Sequence, residues 1–260
     1  VTGYKDYGDR VIINTVSNTG KFTPSINITF ASDDVFRVQM SPDGKVHGSS
    51  GCDNYKVIDF KKHIEIVTPK IKLSIAKKPY ILSAYKTEKN SLITRECSPD
   101  DGGNMKWLVD SKGHIQRIGN HFRSPQEEQF FGFGERFNNF KKRGFIVRNY
   151  IEDQFREQNE RTYIAVPFFI SSRMYGLYVN STDYSEFDMA AGKNNIYSFT
   201  IDCEGKSSPV LDYYFFYGED VKEIINRYTD ITGKAELPPK WAFGLWMSAN
   251  EWDRQSEIID

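Results

Sequence analysis

The residues best suited to chemistry in this 260-residue chain form two short groups. One is Asn250, Glu251 and Trp252, just beyond the apolar run Trp241 to Met247. An amide, a carboxylate and an indole together suit a carbohydrate: the first two bond hydroxyls and the third stacks on a sugar face. An ordinary loop after a strand reads the same way. The other group is Glu152 and Asp153, with Tyr150 close by, in a long polar stretch. Adjacent carboxylates point in different directions, so they are not by themselves an acid/base pair. Either could accept a strong hydrogen bond from a sugar hydroxyl. On composition alone, a solvated loop charge is the plainer reading.

Other motifs carry less. Glu186 and Asp188 flank Phe187, as a carboxylate at a strand end would, but they sit among strand patterns and read as residues reaching a turn or the surface. Gly132-Phe-Gly134-Glu-Arg resembles a nucleotide loop only superficially. No helical pattern follows it, and Phe137 occupies the third glycine position. A tight turn or a bulge in a strand is the better reading. His47, His63, His114 and His121 show no metal-ligand spacing, and Cys52, Cys97 and Cys203 form no CxxC pair. No Ser/His/Asp arrangement stands out, so neither a metal nor a cofactor is expected.

Composition excludes several partners. There are 34 basic and 35 acidic residues, for a net charge of −1. That balance leaves no electrostatic footprint for nucleic acid or an anionic membrane surface. No apolar run reaches the roughly 18 residues of a membrane span. Aromatic residues make up 15%, which suits a β-rich core better than an exposed sugar platform. Three widely spaced cysteines lean toward a reducing, cytoplasmic setting.

The elements that must hold these groups are mostly strands. Up to about residue 125 the chain alternates β-branched or aromatic runs with turn clusters. The runs are Arg10 to Thr15, Ser25 to Ala31, Val35 to Met40, Val57 to Phe60, His63 to Thr68, Ile71 to Ile75 and Tyr80 to Tyr85. Such spacing predicts a sandwich or barrel of antiparallel sheets. A polar, basic stretch from Asn138 reads as a long loop, and Gln154 to Arg161 continues it. Strands resume at Tyr163 to Ser171, Gly176 to Asn180, Tyr184 to Met189, Ile196 to Asp202 and Val210 to Tyr217. The run Asp212 to Tyr217 is nearly all aromatic and predicts a central strand covered on both faces. The period then becomes helical: Val221, Ile224, Ile225, Tyr228 and Ile231. Glu219 and Asp220 mark its start and Gly233 its end. Pro238 and Pro239 follow, and Trp241 to Met247 reads as a buried strand. A buried strand leading through a polar loop toward a helix is the opening unit of a parallel α/β fold. Ligands of such folds sit beyond the C-terminal strand ends. An unpaired apolar strand would need cover, so the tail is expected to pack on the sandwich or on another copy of the chain.

Several segments together resemble glycoside hydrolase family 31, the α-glucosidase and α-xylosidase family. Phe131 to Phe137 is similar to its Y/F-G-x-G-E-R-F segment. Arg161 to Phe169 and Arg173 to Asn180 resemble its R-x-Y-x-x-x-P-F-F and Y-G-x-x-V-N strands. Leu237 to Met247 looks like its approach to the first barrel strand, and Ser32 to Gly44 like an early sandwich strand and turn. The order and spacing of these weak motifs make the match specific from about residue 25 onward.

The resemblance implies an N-terminal galactose-mutarotase-like antiparallel β-sandwich, then a helix and the first βα unit of a truncated (β/α)8 barrel. It places the sandwich at residues 1–236, with a substrate loop at about 138–162 and a linker helix at about 219–232, and the barrel start at 237–260. It implies retaining hydrolysis of α-linked glucosides or xylosides by an aspartate nucleophile and an aspartate acid, carboxyls about 5 Å apart. Both lie on later barrel strands, so this chain holds no catalytic residue and is expected to be inactive alone. Counting back from Arg161-Thr-Tyr163, the family's W-x-x-D substrate segment falls on Tyr150 to Asp153, with tyrosine replacing tryptophan. Asp153 and Tyr150 are thus expected to bind substrate, and Trp246, Asn250, Glu251 and Trp252 to lie at the barrel mouth. Expected partners are an oligosaccharide or α-glycoside, and the rest of the barrel or a second copy. The alternative is a non-catalytic carbohydrate-binding or protein-interaction sandwich.

Overall fold

A computed structural model describes residues 1–45, 51–153, 156–246 and 254–256. Contacts divide the chain into two compact units, Val1–Tyr228 and Thr229–Asp260. The first is almost wholly β. In chain order its strands are β1 (Gly3–Asp6), β2 (Val11–Asn14), β3 (Ser25–Ser32), β4 (Val35–Ser41), β5 (Lys56–Asp59), β6 (His63–Val67), β7 (Ile71–Lys77), β8 (Tyr80–Lys86) and β9 (Ser91–Arg95). There follow β10 (Lys106–Val109), β11 (Ile115–Arg123), β12 (Phe130–Gly134), β13 (Ile146–Asn149), β14 (Ala165–Ser171), β15 (Tyr175–Val179), β16 (Ser185–Met189), β17 (Ile196–Asp202) and β18 (Leu211–Tyr217). Helix α1 runs from Val221 to Thr232.

The strands form an eight-stranded sheet in the order β1-β2-β3-β4-β18-β15-β14-β12 and two five-stranded sheets, β5-β6-β7-β8-β9 and β10-β11-β17-β16-β13. An isolated bridge, Glu96 to Phe122, ties the two smaller sheets together. Apolar side chains from all three sheets share one core, which includes Ile28, Phe36, Leu73, Leu82, Phe122, Phe187, Phe199 and Phe215. This is the expected antiparallel sandwich: β6, β7 and β16 alternate buried and half-buried residues, while β3 and β4 are buried in nearly solid runs.

Strand β18 carries the architecture. Tyr213, Phe215 and Tyr217 point into the main core, while Phe216 joins a second cluster with Val35, Phe168, Ile170 and Ile224. Ile224 of α1 thus closes the outer face, and Tyr228 stacks on Phe168 with ring centroids 4.0 Å apart. That explains why Asp212 to Tyr217 is aromatic on both sides. The helix starts as expected: the Glu223 N–H donates to the Asp220 carboxylate at 2.9 Å, and Gly233 takes φ +102° beyond its end.

The expected strand at Trp241 to Met247 is not formed. Lys240–Phe243 is a 3₁₀ turn, Leu245 and Trp246 continue without regular structure, and Met247 lies outside the described residues. Leu237, Trp241, Phe243, Leu245 and Trp246 are 70–94% exposed. The physical reason is pairing: a strand needs a neighbour for its backbone groups, and the tail has no parallel partner strand among the described residues. Among the described residues no helix is long and apolar enough to cross a membrane.

One buried acid sits where the smaller sheets meet. Glu96 is fully buried and accepts hydrogen bonds from the Leu82 N–H at 2.9 Å, Asn104 Nδ2 at 2.8 Å and Asn120 Nδ2 at 2.7 Å. Burial outweighs these donors and pushes its carboxyl from 4.5 up to about 7. A raised carboxyl holds its proton in the fold after the unfolded chain has lost it. Its stabilising contribution is complete below about pH 4.5 and fades as pH rises through about 7. The contribution lost across that window is about 3 kcal/mol. Half-buried His121, whose pKa is lowered by desolvation, acts in the opposite sense, so the test is a difference. Urea unfolding of the native chain and of Glu96→Gln should diverge by that amount between pH 5 and pH 8. A constant difference would rule Glu96 out as the source.

Candidate functional site: a loop tied at its base

Site geometry starts at β12, the end strand of the large sheet. Gly132, Phe133 and Gly134 all take positive φ, at +121°, +71° and +81°, and the pairing with β14 slips between Gly132 and Gly134. The FGFG segment is thus a bulge in a strand. The bulge turns Glu135 and Arg136 out of the sheet and toward the next two loops.

Arg136 binds three backbone carbonyls from three segments. Its Nε donates to Phe133 O at 3.0 Å, Nη1 to Glu160 O at 2.6 Å and Nη2 to Arg148 O at 2.9 Å. Burial lowers its pKa, yet a guanidinium stays charged and keeps its donors. Arg148 lies near the end of β13 and Glu160 closes the following loop, so one side chain holds both ends of that loop. Further bonds reinforce the base. The Glu152 N–H donates to Thr162 O at 3.0 Å and the Glu135 N–H to Ile164 O at 3.1 Å. Buried Thr162 donates its hydroxyl to Glu135 O. Arg161 pairs with Glu152 at 3.0 Å, and Arg148 lies 3.7 Å from Glu160 and 3.6 Å from Glu186.

Tyr150 and Asp153 are both exposed. Tyr150 is 57% exposed, its ring 6.1 Å from that of Tyr184. Glu152, the other half of the carboxylate pair, is committed to Arg161. Glu152 is partly exposed as well, but its carboxylate is engaged by that ion pair. Ile151, Tyr163 and Ile164 are exposed beside them, giving an apolar surround that suits the face of a sugar ring. Asp188 is a strand residue of β16 whose carboxylate reaches the following turn, accepting from the Ala191 N–H at 2.7 Å and the Gly192 N–H at 3.2 Å.

Trp246 belongs to the second unit, 70% exposed, with its indole N–H donating to Ala242 O at 2.7 Å. Asn250, Glu251 and Trp252 lie outside the described residues. The stretch from Asn138 is not loop throughout, since β13 lies within it and pairs with β16. Sequence reasoning gave no role to Arg136 or to Lys142, which is buried and donates to Asn138 Oδ1 at 2.5 Å. The signal for Arg136 was its place in FGFGER, directly after two glycines that bend a strand.

Sandwich, bulge and tied loop define a class. Residues 25–188 match the model of the glycosyl hydrolase 31 N-terminal galactose mutarotase-like domain, and the chain belongs to that family. It is 46% identical over 258 residues to an isomaltosyltransferase of Sporosarcina globispora, covering 99% of this chain and 24% of that protein. It is 39% identical over 144 residues to the α-xylosidase XylQ of Lactiplantibacillus pentosus, covering 55% of this chain and 18% of that one. Its fold matches a cycloalternan-forming enzyme from Listeria monocytogenes, solved in complex with a pentasaccharide substrate, with TM-score 0.92 and 41% identity over 99% of this chain and 24% of the other. The chain therefore spans about a quarter of the length of the relatives it matches from end to end.

Proposed function

We propose that this chain is the sandwich and substrate-loop portion of a longer retaining enzyme that acts on α-linked glucosyl oligosaccharides. The observation that carries the reading is the exposure of both Asp153 and Tyr150 on a loop fixed at its base. A carboxylate supplies a hydroxyl acceptor and an aromatic ring a stacking face. The catalytic nucleophile and acid belong to a barrel outside these 260 residues, and the segment 237–246 becomes its first strand once neighbours supply pairing. Trp246 and the Asn250 to Trp252 loop would then stand at the barrel mouth.

A retaining mechanism forms a covalent glycosyl-enzyme intermediate, which water or a second sugar hydroxyl resolves. End-to-end similarity to an isomaltosyltransferase and to a cycloalternan-forming enzyme favours glucosyl substrates over xylosyl ones, and transfer to sugar alongside hydrolysis. The test is an assay of the full-length protein and of this chain side by side, on α-glucosyl oligosaccharides and nitrophenyl α-glucoside and α-xyloside. Full-length protein should release and transfer glucosyl units while this chain stays silent. Asp153→Ala in the full-length protein should lower kcat/KM by about 10- to 100-fold. Activity in this chain alone, or an Asp153→Ala enzyme within about twofold of the native one, would overturn the reading.

A further inference from the structure

The geometry points to Arg136 as the positioning residue that sets the substrate loop, and we infer that it acts on substrate binding through Asp153 without touching sugar. The inference rests on the function proposed for the loop. Three observations carry it. First, the acceptors are backbone carbonyls, so the grip is independent of loop side chains. Second, they come from the strand before the loop, the far end of the loop and the bulge of β12, so Arg136 couples the loop to the sheet edge. Third, the donors are the three nitrogens of one planar group. A guanidinium fixes the angles between its bonds, whereas a lysine ammonium is a point donor on a flexible stem.

Asp153 follows directly on Glu152, whose N–H closes the inner ring to Thr162 O at 3.0 Å. Only a few rotatable bonds separate the carboxylate from the tied base. A shift of the base therefore appears at Asp153 nearly undiminished, and displacement by about 1 Å in a positioned group can lower turnover by about 100-fold.

The experiment uses the full-length enzyme with native Arg136, Arg136→Lys, Asp153→Ala and the double variant. On an α-glucosyl oligosaccharide, Arg136→Lys should lower kcat/KM by about tenfold or more, chiefly through KM. The double variant should be no worse than Asp153→Ala, because both changes remove the same contact. Hydrogen exchange of the Glu152 and Arg161 amides should quicken in Arg136→Lys while core strand amides keep their protection. If Asp153→Ala damages turnover and Arg136→Lys leaves KM unchanged, the positioning role is wrong. If the losses multiply in the double variant, Arg136 acts elsewhere and the inference falls. If Asp153→Ala is harmless, the substrate reading fails, and quickened loop exchange in Arg136→Lys would leave only a structural tie.

Discussion

Gly134→Ala should destabilise the chain by about 3–5 kcal/mol and loosen the edge of the large sheet. Gly134 holds φ +81° opposite Ala165, and a Cβ there would overlap the Ile164 carbonyl oxygen. It would also lie 3.0 Å from Ile164 C and from Val166 N. All three neighbours are backbone atoms of the partner segment and cannot rotate aside, so the pairing of β12 with β14 must open. Gly144→Ala is the matched control. Gly144 has φ +86°, but a methyl there would meet nothing within 4 Å, so it carries the conformational penalty alone, about 1 kcal/mol. Urea unfolding followed by far-UV circular dichroism measures both. Equal losses would mean that the strand relaxes around the methyl and the close approach is unimportant.

Glu128→Ala should be comparably severe. Glu128 is 1% exposed, and three hydroxyls converge on it: Ser124 at 2.7 Å, Ser171 at 2.5 Å and Tyr175 at 2.7 Å. Arg143 in turn donates to Ser124 Oγ at 2.7 Å and to Glu128 O at 3.1 Å, so positive charge is relayed toward the acid. Burial and the neighbouring Glu128 hold the Tyr175 phenol well above its ordinary pKa, which keeps it a donor. Truncation leaves three buried hydroxyls without their acceptor, at a cost of about 3–5 kcal/mol. Glu128→Gln keeps one acceptor oxygen and should lose roughly half as much. Tyr175→Phe removes a single donor and should lose about 1–2 kcal/mol. A Glu128→Ala chain within about 1 kcal/mol of native would show that water replaces the carboxyl.

Legibility in the sequence tracked burial. β3, β4, β7 and β18 present buried side chains in alternation or in solid runs, and their limits were readable within a residue or two. β1, β9, β10, β11 and β13 were not, although β11 buries Ile118 and Phe122. β10 leaves Leu108 and Val109 exposed at a sheet edge, and β13 buries only Val147 and Asn149 in a basic stretch. Pairing with β11 and β16 makes them strands, and for β13 that partner is distant in sequence. The apolar run Trp241 to Met247 failed in the opposite way: its composition suits a strand, but composition supplies no partner. At the site, Asp153 and Tyr150 were reachable through the spacing to Arg161-Thr-Tyr163. Arg136 was passed over: its place in FGFGER was a hint, but its acceptors are carbonyls, and every residue has one.

The knot at the base of the loop separates what must stay from what can change. The bonds that tie it are made by Arg136, Glu135, Glu152, Arg161 and Thr162, and by backbone. These bonds join both ends of the loop to the edge of the large sheet. Lengthening a flexible loop is cheap, about 0.6 kcal/mol for each doubling. A loop held at both ends in this way can differ in length while the sandwich that carries it stays the same.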